Sequence, residues 1–389
     1  MLASDVMINT YDHPCRGRVD WSSYGTVDPT TRVRIPAPAY SHIYLIRPSA
    51  MSENKNPMIA TVCSHTSLQI FDGARKEGFE TLGICLGKPP RFYDAFPRAK
   101  PDKFFSVSSY QDIVEKTPEL IEKDAIIIPH GSFVEYLGAS EFARLEVPSF
   151  GNKLVLEWES DRRKEREWLT SAGVPVPAEY SSPDDARGPV IVKYHGAKGG
   201  RGFFIAKNRQ EIEDKLDTSE EYVIQEFVLG TRYYLHFFYS PLRKVGYRVG
   251  DGTLELLGID RRIESNIDEL YKIGGSSGID PSFVVTGNLP MVLRESLLPK
   301  VFELGERVVE RSIELFGGMI GPFCLETICT DTLEFKVFEI SARIVAGTNL
   351  FVSGSPYSDM IEPGLSTGRR IAQEIRLAIE MDRLGDVLS

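Results

Sequence analysis

The sequence has no Cys-x-x-Cys pair, and its five cysteines (Cys15, Cys63, Cys85, Cys324 and Cys329) are odd in number. That pattern argues against a disulfide scaffold or a cysteine-rich zinc site and fits a reducing compartment. Cys63, Cys85 and Cys324 lie in apolar runs, so packing is their expected role. No apolar stretch approaches the roughly 20 residues that span a bilayer. The opening MLASDVMINTYDH lacks a basic region followed by an apolar core, so no signal peptide is expected. Positive charge is also short: 45 Lys and Arg against 55 Asp and Glu give −10. That disfavours broad nucleic-acid binding but leaves room for a local basic pocket. No internal repeat or low-complexity tract stands out. No GxGxxG follows the first strand, which weakens a dehydrogenase reading. The expectation is a cytoplasmic protein with neither membrane nor nucleic acid as partner.

What is present is regular from Met58 onward. Residues 1–57 are rich in Pro, Ser, Thr and aromatics and end in the polar MSENKNP. They read as an extension, either ordered against the body or a partner, or disordered. MIATVC, TLGICL and DAIIIP are apolar strand runs, with helix spacing in LQIFDGARKEGF and Gly78 to end it. Strands alternating with helices predict a parallel, Rossmann-like domain over 58–150. Near Gly151 the character changes. Ser160 and Asp161 can cap the helix RRKEREWLTSAG, with Gly173 past its end. PVIVKY and FFIA read as a hairpin, and YVIQEFV, YYLHFFY, KVGYRV and LELLGID as further strands. A helix pattern runs from about Pro290 to Phe316. FCLETIC and FKVFEIS follow around the turn TDT, and a last helix covers about Gly368 to Arg383. The fold class is α/β, with α+β parts.

Two features carry chemistry. The loop from Lys193 through Gly196, Lys198, Gly199, Gly200, Arg201 and Gly202 combines four glycines with three cations. Glycine admits close backbone approach, and exposed N–H groups can cradle phosphate oxygens. It joins two strands and lacks GxxxxGK[ST], so it is not a P-loop; a basic hairpin tip is the plain alternative. The second feature is a pair of glutamates, Glu326 in FCLETIC and Glu339 in FKVFEIS. If these strands pair through TDT, both carboxylates can share a face. Two carboxylates with triphosphate oxygens suit Mg²⁺. Each lies among apolar neighbours, where an unpaired charge is costly. An ion pair, for instance with Arg343, is the structural alternative. Glu334, near the turn, should be solvated.

A strand lysine before a glycine-rich hairpin, an acidic-apolar strand, then two late strands each bearing a glutamate resembles the ATP-grasp order. QEFV at 225–228 resembles the hinge whose backbone, around Glu226, Phe227 and Val228, contacts adenine. Glu339-Ile340-Ser341-Ala342-Arg343 departs from the usual Glu-x-Asn-x-Arg, with Ser341 in place of the Asn ligand. PVIVKYHGAKGGRGFFIA, LLGIDRRIESNID, TGNLPMVLRESLL and FEISARIVAGTN resemble the archaeal formate-dependent synthetases of purine biosynthesis. These convert aminoimidazole carboxamide ribonucleotide (AICAR) to its formyl derivative, FAICAR, with ATP. The resemblance runs from about Met58 to the C-terminus.

It implies an ATP-grasp fold behind an N-terminal Rossmann-like pre-grasp domain (58–150), with a lid at 151–228 and a large subdomain at 229–389. It implies His65, Ser132 and Asn288 at the AICAR-like substrate. Lys153, Lys193, Lys198, Gly199, Gly200, Arg201, Gly202, Glu226, Phe227, Val228 and Glu264 would serve ATP. Glu326 and Glu339 would hold Mg²⁺, or Mn²⁺. Lys193 and Arg343 would be catalytic, on a path through formyl phosphate. A homo-oligomer is implied as well. His65 has a reading of its own: it follows a strand and precedes a helix, so the N–H groups of Ser64 to Ser67 could bind a ribonucleotide phosphate. The alternatives are a ligase for another acid or amine, or a non-catalytic nucleotide-binding paralogue.

Overall fold

The computed structural model describes residues 56–64, 66–194, 202–267, 282–345 and 352–389. Its first sheet comprises β1 (Met58–Val62), β2 (Thr81–Leu86), β3 (Lys103–Val107) and β4 (Ala125–Ile127). All pair in parallel in the order β3-β2-β1-β4. Every residue of β1 and β4 is buried. That accounts for continuous apolar runs in place of alternation, as expected of a parallel sheet. The Rossmann-like expectation holds, and β3 is a strand that the sequence reading did not assign.

Helix α1 (Ser67–Lys76) follows β1, and Gly78 behind it has φ +79°. Helices α2 (Leu154–Ser160) and α3 (Arg162–Ser171) come next. Asp161 caps α3 by accepting from the Arg163 and Lys164 N–H groups, whereas Ser160 closes α2. The second sheet holds β5 (Glu179–Tyr180), β6 (Val190–Tyr194), β7 (Phe203–Ala206) and β8 (Tyr222–Glu226), with helix α4 (Arg209–Lys215) between β7 and β8. β6 and β7 are antiparallel partners, as the hairpin reading required. The tip of that hairpin lies outside the described residues.

The third sheet is six-stranded. It contains β9 (Thr231–Ser240), β10 (Tyr247–Val249), β11 (Gly252–Asn266), β12 (Phe283–Pro290), β13 (Gly321–Cys329) and β14 (Phe335–Ser341). Its order is β10-β11-β9-β13-β14, with β12 on the far end of β11. Here the helix expected from Pro290 is corrected. Residues up to Pro290 form β12 against β11, and helix α5 starts only at Leu298, with Pro299 in its first turn. Proline fits there because its missing N–H has no intrahelical partner to lose. One face of the sheet (Leu235, Phe237, Tyr239, Leu325) packs on Val301, Leu304, Val308 and Val309 of α5 (Leu298–Phe316). Gly305 permits the approach: a Cβ there would lie 2.9 Å from Leu254 and 3.1 Å from Phe237.

The last helix, α6 (Thr367–Glu380), returns to the first sheet. A Cβ on Gly73 would lie 2.2 Å from the Arg369 nitrogen, and one on Gly368 2.2 Å from the Gln69 oxygen. α1 and α6 therefore touch backbone to backbone. The C-terminal helix is thus packed on the helix that follows β1. Cys85, Cys324 and Cys329 are buried, and with Cys63 they are free thiols. Burial pushes the Cys63 thiol up to about 12, which keeps it unreactive. Among the described residues no helix is long and apolar enough to cross a membrane.

Candidate active site

Alternation sends the apolar residues of the third sheet to α5, so the alternate residues form an opposite, polar face. That face carries Arg232, Tyr234 and His236 of β9, Asp260, Arg262 and Glu264 of β11, Cys324 and Glu326 of β13, and Glu339 of β14. Neighbouring strands join these side chains into rows. In the first row Arg232 Nη1 meets Glu264 Oε2 at 2.5 Å. In the second, Arg262 lies over the Tyr234 ring at 3.9 Å and bonds both Glu326 oxygens at 3.1 and 3.4 Å. In the third, His236 Nε2 meets Asp260 Oδ2 at 2.8 Å. Burial alone would lower the His236 pKa, but the Asp260 carboxylate outweighs it and raises it well above the usual value.

Glu326 and Glu339 are direct partners across β13 and β14. Opposed positions hold Cβ atoms about 4.5–5.5 Å apart on one face. A bulge follows: Thr327 pairs with Val337, so Phe338 is extra on β14 and redirects Glu339. Glu326 is 5% exposed, whereas Glu339 is exposed. Burial, with Glu339 adding to it and Arg262 opposing it, pushes the Glu326 carboxyl up to about 7. The ion-pair partner of Glu326 is Arg262; Arg343 instead bonds Glu159 at 2.7 Å. Among the described residues no three His, Cys, Asp or Glu side chains converge as a metal cage. The donor set is two carboxylates and, at 3.5 Å from Glu326 Oε1, the Ser341 hydroxyl. Oxygen donors of this number fit Mg²⁺ that takes its remaining ligands from phosphate and water. A carboxylate offers about four lone-pair positions, so the Arg262 bonds do not bar Glu326 from it. Glu334 is exposed and paired with Lys300 at 2.6 Å, away from this pair.

Lys193, at the end of β6, joins the cluster from the second sheet. Its Nζ donates to Gln225 Oε1 at 2.9 Å. Burial lowers its pKa, with Glu339 and Glu165 among the charges acting against that. Arg343 is half-buried, and its Nε and Nη1 are buried atoms with no hydrogen-bond partner among the described residues. At the hinge, the Glu226 and Phe227 N–H groups are taken by Ala178 O (2.8 Å) and Pro189 O (3.0 Å). Burial would raise the Glu226 carboxyl, but the Ala178 N–H and Lys336 outweigh it and hold it below its usual range. Asn288 stands opposite Arg262 on β12. Lys153 is placed differently: it sits just before α2, with its ammonium on Leu145 O (2.5 Å) and Val147 O (3.3 Å). Burial pushes it down to about 8. It lines a cavity of about 20 Å³ together with Arg343.

A second polar cluster caps the carboxyl ends of the first sheet, where α/β folds receive ligands. Ser132 is fully buried, with its Oγ 2.6 Å from Ser64 Oγ. The Thr66 hydroxyl, 2% exposed at the N-terminus of α1, has no partner among the described residues. The Ser64 and Ser67 N–H groups, expected to meet a phosphate, are spent on Val62 O (2.8 Å) and Ser64 O (3.0 Å), which leaves the unpartnered hydroxyl as the donor that suits one. His65 between them, and Lys198, Gly199, Gly200 and Arg201 of the loop, lie outside the described residues. Gly202 is described, with φ +75° at the foot of β7. The sequence reading missed Thr66, Arg262, Glu159, Glu165 and the His236–Asp260 pair. For Arg262 a signal existed: Asp260, Arg262 and Glu264 recur at every second position directly after the apolar run LLGI.

Comparison with known proteins follows this geometry. Two family models match, a protein of unknown function (DUF1246) over residues 59–180 and a domain of unknown function (DUF1297) over residues 205–389. The chain is similar to the 5-formaminoimidazole-4-carboxamide-1-(beta)-D-ribofuranosyl 5'-monophosphate synthetase of Methanothrix thermoacetophila. They are 68% identical over 340 residues, covering 86% of this chain and 96% of the relative. It is also similar to the crystal structure of an IMP biosynthesis protein PurP from Thermococcus kodakaraensis, at 32% identity and TM-score 0.69. That match covers 85% of this chain and all of the other. The ADP complex of an N5-carboxyaminoimidazole ribonucleotide synthetase shares the fold alone, at 14% identity and TM-score 0.57, covering 82% of this chain and 78% of its own.

Proposed function

The chain belongs to the family of 5-formaminoimidazole-4-carboxamide ribonucleotide synthetases, and from that premise we propose how its own residues carry the reaction. It is an ATP-grasp ligase of purine biosynthesis that formylates AICAR with formate and ATP. The observation that supports our assignment of the site is the opposed Glu326–Glu339 pair beside Lys193 and Arg343 on one polar face.

Formate is a poor acyl donor because hydroxide leaves poorly. A formate oxygen attacks the γ-phosphorus, the bond to the β-phosphate oxygen breaks, and ADP departs. The AICAR amine then attacks the formyl carbon of formyl phosphate. The carbon–oxygen bond breaks, and phosphate leaves as the amine gives up a proton. Mg²⁺ held by Glu326 and Glu339 would supply neutralising charge to the transferring phosphoryl group. Lys193 adds a fixed cation from β6, and Arg343 offers two unspent donor nitrogens, Nε and Nη1, to the acyl phosphate. Mn²⁺ would fit the same oxygen donors.

ATP reaches this face from the hinge. With the Glu226 and Phe227 N–H groups engaged, the Val228 N–H is the hinge donor left for adenine among the described residues. Glu264 and the glycine-rich hairpin, with Lys198, Gly199, Gly200, Arg201 and Gly202, complete our assignment of the nucleotide site. Lys153 would join only by giving up the Leu145 and Val147 carbonyls, so it ranks last among the contacts. We assign the AICAR phosphate to Ser64, His65, Thr66 and Ser132, and the base to Asn288. On this reading Ser132→Ala raises the KM for AICAR about tenfold or more with a smaller change in kcat, since a hydrogen bond to a charged group is lost. Steady-state kinetics with AICAR varied checks it.

The homo-oligomer belongs to the same proposal. An apolar groove of about 910 Å³, with Val245 at 87% and Met360 at 75% exposure on its wall, supports it. A cytoplasmic location completes the reading. Product identification by mass spectrometry after incubation with ATP, formate and AICAR tests the function. ADP and the formylated nucleotide should appear only when all three are present. ADP release without formate or without AICAR, or transfer of a different acid from a substrate panel, would replace these substrates.

A further inference from the structure

β14 carries Glu339 and is the outer strand of the third sheet. One edge pairs with β13, and the other presents main-chain N–H groups that must find partners or solvent. Val337 N–H donates to Pro175 O at 2.7 Å. Beyond the bulge at Phe338 the outward N–H groups are those of Ile340 and Ala342, and both meet carboxylates. Ile340 N–H donates to Glu165 Oε1 at 2.7 Å, and Ala342 N–H to Glu159 Oε2 at 2.8 Å. The other Glu159 oxygen bonds Arg343 Nη2 at 2.7 Å. Glu165 is only 9% exposed, and the Glu159 side chain 7%.

Carboxylates are costly partners for this purpose. Any backbone carbonyl would satisfy the same N–H groups without burying charge beside Glu339. What they offer is geometry. Both come from helices, α3 and α2, and they grip the chain two and four residues past the bulge. The two gripped N–H groups lie between Glu339 and Arg343 and so fix the backbone from which both side chains project. Burial raises both carboxyls, Glu165 well above its usual range with Glu339 adding to it, so it is their oxygens as acceptors that hold the strand.

We propose that Glu165 and Glu159 are positioning residues for this active site. They clamp the bulged end of β14 so that the Glu339 carboxylate faces Glu326 and the Arg343 guanidinium keeps Nε and Nη1 free for an anion. The inference rests on the assignment of Glu326 and Glu339 to the metal.

The test compares Glu165→Gln, Glu165→Asp and Glu165→Ala in the full-length protein, with Glu339→Gln alongside. Gln keeps an oxygen that can accept from Ile340. Asp keeps the charge but is too short to reach. Three readouts apply: amide hydrogen exchange across 338–343 in metal-free protein, Mn²⁺ affinity by electron paramagnetic resonance, and kcat against KM for AICAR. Glu165→Ala and Glu165→Asp should speed exchange at Ile340, weaken Mn²⁺ binding about tenfold and lower kcat with KM little changed. Glu165→Gln should stay within about twofold of the parent, because the acceptor rather than the charge holds the strand. Parent-like Mn²⁺ binding in the Ala and Asp variants, or Gln as damaged as Ala, overturns the clamp. If Glu165→Ala does not fold, the Asp and Gln pair decides. If Glu339→Gln itself leaves Mn²⁺ binding unchanged, the metal assignment fails and the clamp with it. If Glu339→Gln weakens binding and the Glu165 variants do not, only the clamp fails.

Discussion

Glu339→Gln lowers turnover by about 100-fold or more, with the fold intact. Glu339 is exposed, and Lys193, which loses one of its countercharges, keeps its bond to Gln225. The amide keeps the shape and loses the anionic ligand. Glu326 alone cannot compensate, because one carboxylate already shared with Arg262 supplies only half of the opposed pair. The expected loss follows from the stabilisation that one well-placed charge gives a transferring phosphoryl group, about 3 kcal/mol or more. ADP formation in the presence of AICAR and formate, across a range of Mg²⁺ concentrations, measures it. Thermal unfolding should stay within a degree or two of the parent, roughly the scale of a neutral surface change. Near-parental turnover would remove Glu339 from the metal site.

Arg343→Gln loses turnover on a similar scale, by about 100–1,000-fold, and it differs in leaving ATP affinity nearly intact. The guanidinium is buried with one nitrogen on Glu159 and two without partners. An arginine held in that way is a preorganised anion seat, whose donors need no rearrangement as charge develops. Glutamine cannot supply two N–H groups in that geometry and leaves Glu159 with a weaker partner. Some loss of stability is therefore expected, because breaking a buried pair strands its other half. The discriminating measurement is partitioning. If Arg343 steadies the acyl phosphate, the variant should release more ADP per formylated product, as the anhydride is lost to water. Unchanged coupling with merely slower turnover would limit Arg343 to a structural part.

Much of this site was legible in the chain. The hairpin around the glycine-rich loop, the pairing of FCLETIC with FKVFEIS and the capping by Asp161 all follow from local pattern. Glu326 and Glu339 could be placed on one face because a short turn between two strands fixes register closely. Other parts were not legible. β12 goes unassigned in the sequence reading, because TGNLP carries little strand pattern and its pairing with β11 is long-range. Glu159 and Glu165 lie on helices some 175 residues from the N–H groups they hold; the Glu165–Ile340 separation is 175. In sequence they look like ordinary charges of an amphipathic helix.

By itself the sequence determined the elements and the opposed glutamates, which depend on period, turn chemistry and short spacing, while the class of chemistry came through the resemblance of its motifs. Only the tertiary structure decided which charges meet. It gave Glu326 to Arg262, turned Arg343 to Glu159 and packed α6 on α1 through two glycines. The physical reason is that an ion pair or a glycine contact is chosen by three-dimensional proximity and burial. Many partners are compatible with the same local pattern until the sheets and helices are assembled.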